Sequence, residues 1–220
     1  ANHTTTNTYD AKYNLTQTTN PLGVTTNYTY DAKGNMLTKV ITGGINSINY
    51  TATYNSLNLP TSLTRPNNTT INYRYDNQGN LISVTDALNY TTTYQNDQYG
   101  RRTRETDPRG KATRYTYDAA GNLASLINAN NKTTTFTYNN IGLLTSITDA
   151  LANTTNYHYD GRGRLVTTTF PDNQSIQNLI DGDDRLVRTI DQRGACTNYG
   201  YDAAGRLTQI TDPKGGITKY

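Results

Sequence analysis

The chain has 220 residues, of which 33% are hydrophobic and only 17% charged, with a formal net charge of +3. Low hydrophobicity joined to low net charge and 19 tyrosines excludes a disordered segment, which combines few aromatics with high charge. No apolar run is long enough to span a membrane, no signal-peptide pattern opens the chain, and the lone Cys196 excludes an intrachain disulfide.

Abundant Thr and Tyr suit strands, and abundant Asn and Gly suit turns, so the composition points to an all-β chain. The chain also repeats itself. With the Tyr of each Tyr-Asp pair as position one, units begin at Tyr9, Tyr30, Tyr54, Tyr75, Asn96, Tyr117, Tyr138, Tyr159, Ile180 and Tyr201. The spacing is 21 residues except between Tyr30 and Tyr54, where it is 24 and Gly43-Gly44-Ile45-Asn46-Ser47 supplies a longer loop.

Along one unit the elements follow in a fixed order. A β-branched and aromatic run such as Thr133-Thr134-Thr135-Phe136-Thr137-Tyr138 predicts a strand with Phe136 and Tyr138 on one face. A Tyr-Asp-x-x-Gly turn ends it: the Asp can bond turn amides, and the Gly tolerates the positive φ that closes the reversal. A second strand follows, as in Asn80-Leu81-Ile82-Ser83-Val84-Thr85, and stops at an Asp-Pro-x-Gly turn such as Asp107-Pro108-Arg109-Gly110. Position five is often Gly, position seven is mostly Leu, position twelve is often Asp or Asn, and position twenty is usually aromatic, as at Tyr28, Tyr94, Phe136 and Tyr220.

Each unit therefore predicts one β-hairpin. The fold expected is all-β: tandem 21-residue hairpin repeats in a long, coiling antiparallel sheet, a spiral shell or solenoid, open at both ends. It forms a single repeat array over residues 1–220 with no second domain. The chain starts within a unit at Ala1 and stops at position twenty with Tyr220, so a segment of a longer array is expected, with both sheet edges open to pairing. Two units depart from the pattern and predict weaker packing. In one, Asn96 replaces Tyr and Arg101, Arg102 and Glu105 replace residues that are often apolar. In the other, Ile180 replaces Tyr, Asn178 replaces the second aromatic and Asp184 replaces Gly.

The motif Tyr-Asp-x-x-Gly-Asn/Arg-Leu, followed by Thr-Asp-Pro-x-Gly and Thr-x-Tyr, resembles the YD-repeat, or Rhs-repeat, family. Tyr117-Asp118-Ala119-Ala120-Gly121-Asn122-Leu123 and Tyr201-Asp202-Ala203-Ala204-Gly205-Arg206-Leu207 carry the likeness most fully, and it extends over the whole chain. That family includes bacterial Rhs and wall-associated proteins, toxin-complex shell subunits and teneurins. The resemblance implies a sheet that spirals into a hollow shell, enclosing an effector in the toxins and serving as an extracellular scaffold in the adhesion proteins. The self-cleaving region of some members has no counterpart here, because Asp107-Pro108 and Asp212-Pro213 fall at ordinary repeat turns.

Nothing in the sequence marks an active site, a cofactor or a metal. The residues singled out are structural: Asp31, Gly34, Asp76, Gly79, Asp118, Gly121, Asp202 and Gly205 in turns, and Tyr28, Tyr30, Tyr73, Tyr75, Tyr115, Tyr117, Tyr157, Tyr159, Tyr199 and Tyr201 in an aromatic ladder between hairpins. His158, between Tyr157 and Tyr159, faces away from both rings, and His3 is the only other histidine. Cys196 reads as a small packed side chain, and Asp181-Gly182-Asp183-Asp184 as an acidic turn without calcium-loop spacing. Arg101, Arg102, Arg104, Arg109, Lys111 and Arg114 are interrupted by Asp97, Glu105 and Asp107, so they read as a solvated face and not a nucleic-acid site. Sequons such as Asn14-Leu15-Thr16, Asn27-Tyr28-Thr29, Asn89-Tyr90-Thr91 and Asn153-Thr154-Thr155 are expected by chance in so Asn- and Thr-rich a chain.

The expected function is a non-enzymatic extracellular or cell-surface scaffold forming a shell wall, stalk or filament. The alternatives are a carbohydrate-binding adhesion module using exposed Tyr rows, and part of a toxin-encapsulating shell. Expected partners are further repeats or copies of the chain through open sheet edges, encapsulated cargo or cell-surface glycans, with neither nucleic acid nor a membrane span.

Overall fold

The structure is a computed structural model that describes residues 4–44 and 46–220, so His3 and Ile45 lie outside the described residues. The chain divides into two compact units, residues 1–112 and 113–220. In the first, strands run β1 (Thr6–Tyr9), β2 (Leu15–Thr19), β3 (Thr25–Tyr30), β4 (Met36–Thr42) and β5 (Ile48–Tyr54). They continue through β6 (Pro60–Thr64), β7 (Thr70–Tyr75), β8 (Leu81–Thr85), β9 (Thr91–Asn96) and β10 (Arg102–Thr106). β11 (Ala112–Tyr117) opens the second, followed by β12 (Leu123–Ile127), β13 (Thr133–Tyr138), β14 (Leu144–Thr148), β15 (Thr154–Tyr159) and β16 (Leu165–Thr169). Then come β17 (Ser175–Ile180), β18 (Leu186–Ile190), β19 (Cys196–Tyr201), β20 (Leu207–Thr211) and β21 (Ile217–Lys219). The described residues contain no helix.

Within each unit every described pairing is antiparallel and joins strands adjacent in the chain, a continuous meander. Among the described residues the strand contacts within each unit join such neighbours, which is the nearest-neighbour logic of repeat proteins. The pairing alternates between two kinds. Inside a hairpin the ladder runs up to position one and then shifts by a residue: Thr116 faces Ser125, but Tyr117 faces Leu123. Between hairpins three pairs form, four between β4 and β5, and the strands then part, as at Ser125–Thr135, Leu126–Thr134 and Ile127–Thr133. The register shift is a β-bulge, which bends the strand and increases its twist.

Period two sorts the side chains. On one face Tyr73 meets Val84, Tyr115 meets Leu126, Phe136 meets Ile147 and Tyr199 meets Ile210. On the other face hydroxyls meet in pairs: Thr29 and Thr38, Thr116 and Ser125, and Thr137 and Ser146 all lie 2.7 Å apart. Only Ala52 and Ser83 are buried among the described residues, and the aromatic face is half-covered by its own neighbours. In the first unit the longer loop at 43–47 extends β4 and β5 to seven residues each. Gly43 is required there: its φ is 126°, and a Cβ would lie 2.9 Å from the Val24 Cα.

Candidate functional site

The repeated turn is built from its first residue. In the hairpin β11–β12, Asp118 N–H donates to the Asn122 carbonyl at 2.9 Å and Gly121 N–H to the Asp118 carbonyl at 3.0 Å. This is a three-residue reversal closed by a left-handed residue, and Gly121 occupies that place at φ 92°. The Asp118 carboxylate holds the turn from inside, its Oδ1 accepting the Asn122 N–H at 2.8 Å. Asp31 accepts from the amides of Lys33 and Asn35, Asp76 from those of Gln78 and Asn80, and Asp202 from those of Ala204 and Arg206, all at 2.9 Å. Gly34 and Gly79 take φ 88° and Gly205 takes 78°.

The second carboxylate oxygen carries a rule that the sequence reading missed. Oδ2 accepts from the side chain at position six: Asn14 on Asp10, Asn35 on Asp31, Asn80 on Asp76 and Asn122 on Asp118. Elsewhere an arginine Nε makes the same bond: Arg101 on Asp97, Arg164 on Asp160, Arg185 on Asp181 and Arg206 on Asp202. Where position two is Asn, at Asn55 and Asn139, position six is Leu59 or Leu143. An amide has only one acceptor oxygen, already held by backbone N–H groups, and its other atom is itself a donor. A donor at position six would then have nothing to bond. The hydrogen bonds of Asn35, Asn80 and Asn122 hold Asp31, Asp76 and Asp118 below the usual carboxylate range. The Arg164 side chain and amide bring Asp160 down to about 2.

Outside the longer loop at 43–47, the described second turns have the same geometry as the first. Turns open at Asp107, Asp118, Asn128, Asn139, Asp149 and Asp160, alternately eleven and ten residues apart. In two of the second turns the opening residue cannot accept, and an Asx two places on takes over. Thr69 N–H reaches Asn67 Oδ1 at 3.3 Å in the turn from Arg65, and Gln174 N–H reaches Asp172 Oδ1 at 3.0 Å in the turn from Phe170. The left-handed place is filled by Asn68, Asn89, Asn131 and Asn173 as readily as by glycine. The signal in the sequence is the ten-and-eleven spacing of Asp and Asn, which a 21-residue unit conceals.

Five position-one tyrosines tie their unit to the one before. Tyr30 donates its hydroxyl to the Leu15 carbonyl at 2.8 Å, Tyr75 to Pro60 at 3.0 Å, Tyr159 to Leu144 at 2.9 Å and Tyr201 to Leu186 at 2.9 Å. Tyr54 spans the longer loop to reach the Met36 carbonyl at 3.0 Å. Each accepting carbonyl belongs to the bulged position seven, just where the strands between hairpins part, so the hydroxyl replaces a missing ladder bond. Tyr117 sits opposite Leu123 in the same register. Partial burial raises the Tyr30 and Tyr75 hydroxyls above the ordinary phenol value, which keeps them protonated donors. The position-twenty rings Tyr28, Tyr73, Tyr115, Tyr157 and Tyr199 lie half-buried on the same face.

The two divergent units keep this link with other atoms. Asn96 Nδ2 reaches the Leu81 carbonyl at 3.1 Å, in place of the tyrosine. Ile180 cannot donate, and Asn178 Nδ2, two residues earlier, reaches the Leu165 carbonyl at 3.4 Å. Arg102 and Glu105, substituted on the aromatic face, pair at 3.1 Å, and the Arg102 guanidinium stacks 3.8 Å from the Tyr94 ring centroid. The weaker packing expected at these units is thus accompanied by substitute polar contacts.

The remaining chemical candidates are occupied by the fold. Asp181 and Asp183 pair with Arg185 at 2.8 and 2.9 Å, and Asp184 with Arg164 at 2.6 Å and Arg162 at 3.3 Å, so arginines fill the acidic turn. Arg101 pairs with Asp97 and Arg109 with Asp107. His158 is exposed between two half-buried rings. Cys196 is a half-buried free thiol in β19. Among the described residues no cluster of His, Cys, Asp and Glu could hold a metal ion, and no helix is long and apolar enough to cross a membrane.

Comparisons with known proteins agree with this geometry. A family model described as RHS Repeat matches residues 3–44 and 181–217, and one described as Teneurin YD-shell matches residues 46–180. A comparison with curated protein sequences finds no match. Among solved structures, TcdB2-TccC3-Cdc42 aligns over 94% of this chain and 13% of its own, at 15% identity and a TM-score of 0.75. TcdB2-TccC3 without its hypervariable C-terminal region aligns over the same shares at 16% identity and a TM-score of 0.75. The Photorhabdus luminescens Tc holotoxin pore carrying a TccC3 mutation aligns over 98% of this chain and 15% of its own, at 15% identity and a TM-score of 0.57. The chain thus spans well under a quarter of the length of these proteins, and at such identity the likeness is one of fold. With more than half of its residues matched by the Teneurin YD-shell model and the flanking stretches by the RHS Repeat model, the chain belongs to the YD-repeat, or Rhs-repeat, family.

Proposed function

We propose that this chain is a wall segment of an extracellular YD-repeat scaffold, without enzymatic activity of its own. The observation that carries this reading is the recurrent bond from a position-one hydroxyl to the preceding unit's bulged carbonyl. That bond makes each hairpin the template for the next. The turn residues Asp31, Gly34, Asp76, Gly79, Asp118, Gly121, Asp202 and Gly205 set the reversals, and the paired tyrosines from Tyr28 and Tyr30 to Tyr199 and Tyr201 form the ladder between them. The lowered carboxylates support a structural role, because their oxygens are held by their own turns and none is poised to exchange a proton near neutral pH. The partners of such a wall are further YD repeats or second copies at its edges, and cargo enclosed behind it.

Electron microscopy combined with size-exclusion chromatography tests this reading. Closed hollow particles support a shell, and long fibres with an axial repeat support a filament. A monodisperse monomer that turns over a glycan or peptide substrate would overturn the wall reading.

A further inference from the structure

Three departures from the repeat converge on one place in the first unit. Ala52 stands two residues before the position-one Tyr54, a place where Tyr28, Tyr73, Tyr94, Tyr115 and Phe136 carry a ring before their own next units. Arg65 opens a turn that is usually opened by Asp or Asn. The longer loop at 43–47 extends β5, so that Tyr50 stands opposite Lys39, two residues before Ala52 and on its face. Together they leave a hollow of about 380 Å³ over β4, β5 and β6, lined by Met36, Lys39, Tyr50, Ala52, Leu63 and Arg65. That volume lies within the range of small-molecule sites.

Its lining combines apolar, aromatic and cationic side chains. Ala52, 6% exposed, forms the floor and faces Leu63, which is 38% exposed. Tyr50, 39% exposed, offers an aromatic wall, with the Lys39 Nζ 5.7 Å from its ring centroid. Among the described residues neither Lys39 nor Arg65 pairs with a carboxylate, unlike Arg101, Arg109, Arg164, Arg185 and Arg206 but like Arg74 and Arg188. Two uncompensated cations at the rim of an apolar hollow favour an anion. An apolar floor where a ring is missing, beside a half-exposed tyrosine, favours a flat aromatic body.

We propose that this hollow binds a small aromatic anion. The ring takes the place of the aromatic side chain absent at Ala52, and the carboxylate or sulfonate is directed toward Lys39 and Arg65. The inference rests on local geometry and stands whether or not the chain forms a wall.

Fluorescence titration of the 220-residue protein tests it, with 1-anilinonaphthalene-8-sulfonate as the anionic probe and N-phenyl-1-naphthylamine as its uncharged counterpart. One saturable site is expected for the anion, with affinity at least about tenfold above that of the uncharged probe. Ala52→Tyr restores the repeat aromatic and should abolish that site while leaving the melting temperature unchanged or raised. Lys39→Gln combined with Arg65→Gln should weaken the anion about tenfold and leave the uncharged probe unaffected. Should Ala52→Tyr fail to fold, Ala52→Leu occupies the floor with less bulk and should still weaken binding. Equal affinity for the two probes, or anion binding indifferent to every Ala52 variant that folds, overturns the proposal.

Discussion

At the residue scale the molecule is governed by hydrogen-bond donors and acceptors that must match. Asp118 accepts from both the Asn122 amide and the Asn122 side chain, and each partner presumes the other. Asp118→Asn alone should lower the melting temperature by a few degrees, because it sets the Asn122 amide against another donor. Adding Asn122→Leu recreates the Asn139–Leu143 arrangement and should recover most of the loss, so a double-mutant cycle should show strong positive coupling. Strict additivity would refute the matching rule. The same bonds make stability depend on pH. Asp160 titrates at about 2 in the folded chain, below its unfolded value of about 3.9. Its contribution is therefore present in full above about pH 4 and is lost as pH falls toward 2. The gap in melting temperature between the protein and Asp160→Asn should narrow from pH 5 to pH 2, and a gap that stays constant would dissociate the carboxylate from stability. Asp and Gly at the first turn were legible in the sequence because backbone conformation demands them. The position-six partner was not, because Asn, Arg and Leu share no propensity. What selects a donor over Leu is the residue four places earlier.

At the scale of the element, the strands owe their limits to the turns and their cohesion to the tyrosine hydroxyl. Tyr75→Phe removes the 3.0 Å bond to the Pro60 carbonyl while keeping the ring. A loss of about 1 kcal/mol in urea unfolding is expected for such a bond at a half-buried carbonyl. Asn96→Tyr, which exchanges one donor for another at the Leu81 carbonyl, should be neutral or stabilising. If Tyr75→Phe proved as stable as the parent, the hydroxyl would be incidental and ring packing would be the whole of the ladder. Strand order and facing were readable from period-two patterning, as the alternation of half-buried Phe136 and Tyr138 with exposed Thr135 and Thr137 illustrates. Asn96 and Asn178 read as losses of an aromatic, because a sequence shows the ring that is missing and not the carbonyl that another donor can reach.

At the scale of the whole molecule, the meander makes stability a matter of neighbours. Within each compact unit the described strands touch the strands before and after them in the chain. Deleting residues 138–158, one full repeat, should leave the β-sheet circular dichroism spectrum intact and lower the melting temperature modestly. Deleting only 138–147 should be far more damaging, because it removes a single strand and turn and so puts the hydroxyl of one unit out of step with the carbonyl of the unit before. Equal tolerance of both deletions would show that the tyrosine tie does not set the repeat length. The proposed scaffold function belongs to this scale too, since a hairpin alone buries almost nothing and acquires its covering from the next.

By itself the sequence determined the hairpin period, the alternation of faces, the Asp and Gly turns and membership of the family pattern. Each of these is written in residues that are close together in the chain and subject to local backbone chemistry. Only the tertiary structure decided that both turns of a unit share one geometry, that the Tyr30 hydroxyl reaches back to the Leu15 carbonyl, and that Ala52, Lys39, Tyr50 and Arg65 surround one hollow. These depend on where a β-bulge turns a carbonyl out of the ladder and on which side chains stand opposite across strands. Register between strands, and not the identity of any one residue, sets both.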